Sequence, residues 1–318
     1  MRLEDKIKHV VVVELSDLET IDKLERFDYY FTKEWKSEKA YRFVLQYPDG
    51  SEVESSAFIH YGHNDEVRDL TIEVSTMYGC PLKCKFCDTI KINAVKYLTS
   101  DEIILQIEKT LFECNLSPNA FLDFRVSFLG IGENSLIPNI IIETSQKLRE
   151  KYKHVLLNIS TVAVDLTAIN IWSKSNLPLR LLQVSLPHYD IFEIKKIIPN
   201  INSFNTDRLV ESLLEFNSIN PNVIIVINYL LIDKFNDSLA YVDELLKNFK
   251  SLKDVIYFRL SILNETEGTK KFQLNQVSID NTHKILETII KNGFNAYIFG
   301  SFENQRLSCG QLIGRYCT

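Results

Sequence analysis

The sequence predicts an α/β fold: about six βα units closing into a full or partial barrel, (βα)6, behind a small β-rich N-terminal extension. Three observations predict it. From Asp69 onward, short apolar runs alternate with helical stretches of roughly ten to seventeen residues, the pattern of repeated βα units on a parallel sheet. Before Asp69 the chain reads as strands alone. Within that first part, Asp49-Gly50 stands between two strand-like runs and marks a hairpin.

Taken in order, residues 9–14 (His-Val-Val-Val-Val-Glu) form the first strand. Residues 41–46 form the next, and the Pro48-Asp49-Gly50 turn leads into a strand over 51–60. The parallel series is predicted at 69–75, 124–130, 154–160, 179–185, 223–230 and 255–261, with 294–299 closing it. Helices fall between these runs. Ser100 is the expected cap of one whose Ile103, Ile104, Ile107 and Leu111 form an apolar face; Ile285, Leu286, Ile289 and Ile290 do the same near the end, and all are read as core. The division is an extension over 1–66 and a barrel over 67–318. In a barrel of this kind reactive groups sit in the loops after the strand C-termini. Those loops begin at Cys80, Gly130, Ser160, Ser185 and Asn264.

At 318 residues, 45% hydrophobic and 25% charged, the chain has an ordinary globular composition and can bury a large core without disulfides. No apolar run is long enough to span a membrane, and Glu4 and Asp5 spoil the design of a signal peptide, so a soluble, intracellular, cytoplasmic protein is expected. The net charge of -6 does not favour gripping a long phosphate backbone, so structured RNA is not the first expected partner. The basic stretch at 247–253 reads as a solvated helix end.

Three of the six cysteines, Cys80, Cys84 and Cys87, lie within eight residues, which points to a metal rather than to disulfides. The spacing Cys80-Pro-Leu-Lys-Cys84-Lys-Phe-Cys87 lets one loop wrap three corners of a cubane four-iron, four-sulfur (4Fe-4S) cluster, leaving the fourth iron without a protein ligand. S-adenosylmethionine can chelate that iron and be cleaved there to a 5'-deoxyadenosyl radical. A structural zinc site is the alternative, but it wants two ligand pairs and no second Cys-x-x-Cys lies nearby. Phe86 is placed to shield the cluster or pack on the adenine, or else to plug the barrel mouth.

Five motifs, in order over about residues 40–316, resemble those of the radical S-adenosylmethionine RNA methyltransferases that modify carbon 2 or carbon 8 of adenine, including the chloramphenicol-florfenicol resistance type. They are Ser75-Thr-Met-Tyr-Gly79 with the cysteine loop, Gly130-Ile131-Gly132-Glu133-Asn134, Ser160-Thr161, Leu260-Ser-Ile-Leu-Asn264, and Ser308-Cys309-Gly310-Gln311-Leu312. The resemblance implies a radical S-adenosylmethionine barrel and a methyltransferase-like transferase. It implies that Cys309 carries a methyl group taken from one cofactor molecule, from which the radical made from a second takes hydrogen. By the same mapping Glu133, with Gly132, holds the amino group of S-adenosylmethionine, Ser160 and Ser185 its carboxylate or ribose, and Asn264 its ribose. Val53-Glu54 at the hairpin resembles a family Val-Glu element whose glutamate contacts the substrate adenine, which implies that role for Glu54.

The sequence departs from this family at three places. Where the family keeps a second catalytic cysteine, which resolves a covalent intermediate by disulfide formation, this chain has Glu73; a carboxylate can act as a base but cannot form a disulfide. Neither Cys114 nor Cys317 is placed by sequence to replace it. The short, strand-like run before Tyr41 is not expected to form the family's helical N-terminal RNA-docking domain. Asn134, Pro187 and the stretch 300–304 differ from the family's residues around the substrate pocket. The expected function is therefore a radical enzyme acting on a small-molecule, nucleotide or peptide substrate, with an external electron donor such as flavodoxin or ferredoxin. The alternatives are RNA adenine methylation and a non-catalytic cluster-binding protein.

Overall fold

The computed structural model describes residues 9–18, 37–61 and 67–299. It opens with four strands, β1 (His9–Leu18), β2 (Ser37–Gln46), β3 (Glu52–Tyr61) and β4 (Val67–Val74). A two-stranded ribbon follows, β5 (Met77–Tyr78) with β6 (Lys96–Tyr97), and then α1 (Ser100–Glu113). The remainder is β7 (Asp123–Phe128), α2 (Pro138–Lys151), β8 (Val155–Thr161), α3 (Thr167–Ser173), β9 (Leu179–Ser185), α4 (Ile191–Ile197) and α5 (Thr206–Ile219). It continues with β10 (Ile224–Leu231), α6 (Leu239–Asn248), β11 (Ile256–Ile262), α7 (Glu267–Lys271), α8 (Ile279–Lys291) and β12 (Asn295–Phe299).

Ten strands form one sheet in the order β1-β2-β3-β4-β7-β8-β9-β10-β11-β12. From β4 to β12 every neighbour is parallel and joined by a helical crossover. The strand β4 also pairs antiparallel with β3, so the N-terminal strands extend the edge of the parallel sheet. Each predicted strand of the parallel series is present within three residues of its expected ends. The Pro48-Asp49-Gly50 hairpin forms between β2 and β3, with Asp49 accepting hydrogen bonds from the Ser51 amide at 3.0 Å and hydroxyl at 2.6 Å.

Alternation along the strands sorts the two faces. Leu70, Ile72 and Val74 of β4, Val126 and Phe128 of β7, and Ile225 and Ile227 of β10 are all fully buried in one core with the helices. Each such side chain taken from water stabilises by about 1.5–3 kcal/mol. The opposite face is polar and in register. Arg42, Ser56, Glu73, Ser127 and Asn158 are successive partners across β2, β3, β4, β7 and β8; Ser185, Asn228, Arg259 and Tyr297 are partners across β9 to β12. Helices cover the apolar face, which leaves the polar rows to line the inside of a partial barrel.

Two local expectations are corrected. Thr99, not Ser100, caps α1: its hydroxyl accepts from the Glu102 amide while the Glu102 carboxylate takes the Thr99 amide at 2.8 Å. Ser100 instead donates to Glu143 of α2 at 2.6 Å. Ile290 lies on the edge of the α8 stripe and is 50% exposed, so it is not core, whereas Ile285 and Ile289 are. No helix among the described residues is long and apolar enough to cross a membrane.

Candidate cluster and cofactor site

The three clustered cysteines occupy the loop between β5 and β6, beyond the C-terminal end of β4, and the chain wraps them tightly. The Cys87 amide donates to the Cys84 carbonyl at 3.1 Å, and the Lys85 amide to the Ile197 carbonyl at the end of α4 at 2.9 Å. Cys80, Cys84 and Phe86 pack on an apolar bed of Leu82, Ile194, Ile197 and Leu263. The three cysteines are half-buried. Burial pushes Cys80 up to about 12 and raises Cys84 and Cys87 above the ordinary thiol range, and the negative charges of Cys80 and Cys87 raise Cys84 further. The thiols feel one another's charge in a largely desolvated loop, where thiolates are costly unless metal cations sit among them.

That donor set fits an iron–sulfur cluster. A cubane takes each thiolate on a different iron, which asks for three sulfurs around a cage rather than around a point.

Beside the thiols lies the loop 130–134. Gly130 runs against Ser75, where a Cβ would meet the Ser75 amide nitrogen at 2.8 Å. Gly132 has φ +136°, a conformation that favours glycine, and a Cβ there would lie 2.3 Å from Thr76 Oγ1. Gly132→Ala is expected to cost about 1–3 kcal/mol from backbone strain alone, read as a lower urea midpoint at unchanged m.

The turn at Gly132 delivers Glu133, which is 2% exposed. One carboxylate oxygen accepts from the Ser135 amide at 3.0 Å, the Ser135 hydroxyl at 2.8 Å and the Thr161 hydroxyl; the other accepts from the Val162 amide at 2.9 Å. Its charge also reaches Cys80 and Cys84, adding to their rise. Asn134 is a tie. Its amide donates to the Phe128 carbonyl at 2.7 Å and the Ser160 carbonyl at 2.6 Å, and its oxygen accepts from Thr76 at 2.9 Å.

Ser160 and Ser185 lie on the polar face. The Ser160 hydroxyl accepts from Gln183, which in turn accepts from Arg259 at 2.7 Å; Asn228 reaches Ser185 at 3.4 Å. Asn264 is half-buried, just past β11. Two residues on, α7 clamps the cysteine loop: Thr266 donates to the Phe86 carbonyl at 3.2 Å, and the Glu267 amide to Asp88 at 3.0 Å. Gly268 lies so close that a Cβ would be 2.3 Å from the Lys85 carbonyl oxygen.

Glu54 and Glu73 share the polar face of β3 and β4. Glu54 is buried, and its charge helps to raise Cys87, behind burial as the main cause. Glu73 pairs with Arg42 at 3.8 Å, and Arg42 also donates to Ser56 at 2.9 Å. Cys309, Cys317 and the motif 308–312 lie outside the described residues.

Sequence reasoning missed Asp88, Thr266 and Gly268. The only signal for the last two was the Thr-x-x-Thr box that starts α7. It also passed over His188, next to Pro187. The imidazole accepts from the Asp190 amide at 3.0 Å and packs among Tyr189, Phe235 and Tyr241, where burial lowers its pKa and keeps it neutral.

No family model matches the chain. Among curated proteins it is similar to the probable dual-specificity RNA methyltransferase RlmN of Thermosipho melanesiensis, 28% identical over 288 residues, which cover 88% of this chain and 78% of that protein. The dual-specificity RNA methyltransferase RlmN of Francisella tularensis is 26% identical over 275 residues, 83% of this chain and 70% of its own length. The solved structure of a radical SAM methyltransferase from Sphaerobacter thermophilus superposes with TM-score 0.73 over 95% of this chain and 81% of that one, at 18% identity, and shares the fold.

Proposed function

We propose that this chain, a radical S-adenosylmethionine enzyme of the methyltransferase type, modifies a carbon of a substrate other than ribosomal RNA, with Cys309 as methyl carrier and Glu73 in place of a resolving thiol. The observation that carries the departure from RNA is the Arg42–Glu73 pair on the inner face of the sheet. The strand position at which the resembling family keeps a cysteine holds a carboxylate steadied by a guanidinium, able to take a proton and unable to form a disulfide.

Cys80, Cys84 and Cys87 would hold the 4Fe-4S cluster and leave one iron for S-adenosylmethionine. Bound there, the two supply one-electron cleavage of the sulfonium and a 5'-deoxyadenosyl radical. Around them the chain binds and excludes water. Phe86 and the apolar bed beneath the cysteine loop pack beside the cysteines and shield them on one side. Glu133 with Gly132, Ser160, Ser185 and Asn264 present the polar groups for the cofactor's amino, carboxylate and ribose ends. Glu54 sits beside the cysteine loop on the substrate side.

The test is peptide mass spectrometry after anaerobic reconstitution and incubation with methyl-labelled S-adenosylmethionine. Label on Cys309, lost in Cys309→Ala, is expected. An unlabelled Cys309 in a protein that still releases 5'-deoxyadenosine removes methyl transfer from the reading.

The similarity to RNA methyltransferases at 25–28% identity favours a second reading, methylation of adenine in RNA. It predicts 2- or 8-methyladenosine in RNA from cells expressing the chain. Unchanged nucleosides exclude it.

A further inference from the structure

The cysteine loop is flanked by two short helices whose inner faces pin it and whose outer faces carry lysines. On one side α4 holds the loop through the Ile197 carbonyl, and Asn200 beyond it donates to the Pro81 carbonyl at 2.7 Å. With Ile194 and Ile197 buried beneath, Lys195 and Lys196 are left exposed, and Phe192 stands 75% exposed beside them. On the other side α7 buries Gly268 and Thr269 against the loop and exposes Lys270 and Lys271. Residues 80–91, 191–200 and 264–274 together hold seven lysines against four carboxylates, in a chain of net charge -6. Lys196 pairs with Glu193, Lys270 with Glu265 and Lys91 with Glu267, which leaves Lys83, Lys85, Lys195 and Lys271 as the surplus. One of the four carboxylates, Asp88, is buried and turned toward α7. The surface around the cysteines is therefore a basic island, with an apolar point in it, on an acidic protein.

We propose that this surface, made by α4, the cysteine loop and α7, is the docking site of an acidic one-electron donor protein of the flavodoxin or ferredoxin type. The proposal rests on the reading of the chain as a radical S-adenosylmethionine enzyme. One electron leaves the reduced donor, which becomes oxidised by one step, and enters the cluster held by Cys80, Cys84 and Cys87; no bond forms or breaks in this step. Electron transfer falls off steeply with distance, so the donor must touch the elements that wrap the cluster, and these are the elements with the lysines. An acidic partner is repelled by most of this chain and steered to the island. Redox encounters also use small contacts, below about 1,200 Å². RNA needs many phosphate contacts spread along a backbone, which a compact island does not offer.

The experiment uses the full-length, reconstituted protein and a bacterial flavodoxin. Flavodoxin affinity is measured by calorimetry at low and high salt. Formation of 5'-deoxyadenosine is measured twice, with reduced flavodoxin and with dithionite. Lys195→Glu/Lys196→Glu is compared with Lys247→Glu/Lys250→Glu, at exposed sites where α6 leads into the opposite end of the sheet. The first variant is expected to weaken flavodoxin binding about tenfold, to lose most of its salt dependence, and to slow the flavodoxin-driven reaction in step. Its dithionite-driven rate stays that of the parent, and the second variant matches the parent throughout.

Unchanged flavodoxin binding and rate in Lys195→Glu/Lys196→Glu overturns the proposal. So does an equal loss in both variants, or a loss of the dithionite rate as well. Intact flavodoxin coupling with lost retention of total RNA in a gel shift assigns the face to RNA and also overturns it. Failure of the parent protein to make 5'-deoxyadenosine with dithionite sinks the underlying reading itself, which separates that failure from failure of the docking site alone.

Discussion

Cys84→Ala is expected to yield a folded chain that retains no iron–sulfur cluster and makes no 5'-deoxyadenosine above a protein-free control. Cys84 is the middle of the three proposed ligands, and the charges of both Cys80 and Cys87 reach its thiol. Removing one of three thiolates leaves an iron without its protein ligand. The fold survives because the loop is held by groups other than the cysteines: the Ile197 carbonyl, Thr266, the Asp88 cap on α7, and the apolar bed under Leu82 and Phe86. Iron and sulfide analysis with circular dichroism checks both halves. A full cluster in Cys84→Ala means that the ligand set is wrong.

Glu133→Ala carries the second large effect, on stability. The carboxylate takes two backbone amides and two hydroxyls, all in a place closed to water. The hydroxyls can turn elsewhere, but the amides of Ser135 and Val162 cannot. Leaving such donors unpaired costs about 3–5 kcal/mol in total. Equilibrium urea unfolding is expected to show that loss at constant m, with Glu133→Gln recovering part of it because a side-chain carbonyl still accepts. A loss below about 1 kcal/mol in Glu133→Ala would mean that these bonds are replaced by others or by water.

These two residues also show what the sequence could and could not reveal. The parallel strands were legible as short apolar runs spaced by helical stretches; which residues turn to the helices and which to the inner face, as Leu70, Ile72 and Val74 against Thr71 and Glu73, came only with the fold. The cysteine loop was legible from residue type and spacing, and the Gly130–Gly132 turn from its resemblance to a methyltransferase motif. The hold on Glu133 was not, since it depends on Thr161 and Val162, 28 and 29 residues further on. Asn134 looked in sequence like a lapse from a pattern; in the fold its amide joins the ends of β7 and β8. The α7 clamp was hidden for the same reason. Gly268 is small because the Lys85 carbonyl lies against it, a contact between residues 183 positions apart in the chain. The Thr99 cap, by contrast, was readable: Thr99 followed by Glu102 is a capping box, and only the adjacent Ser100 drew attention away from it.

The central claim is that the thiols of Cys80, Cys84 and Cys87 hold a cluster that cleaves S-adenosylmethionine. The most direct measurement is mass-spectrometric detection of 5'-deoxyadenosine from anaerobically reconstituted protein, given S-adenosylmethionine and dithionite, with cluster content verified beforehand. The account predicts 5'-deoxyadenosine from the parent protein and none from Cys84→Ala. A parent protein with a full cluster that releases none would contradict it.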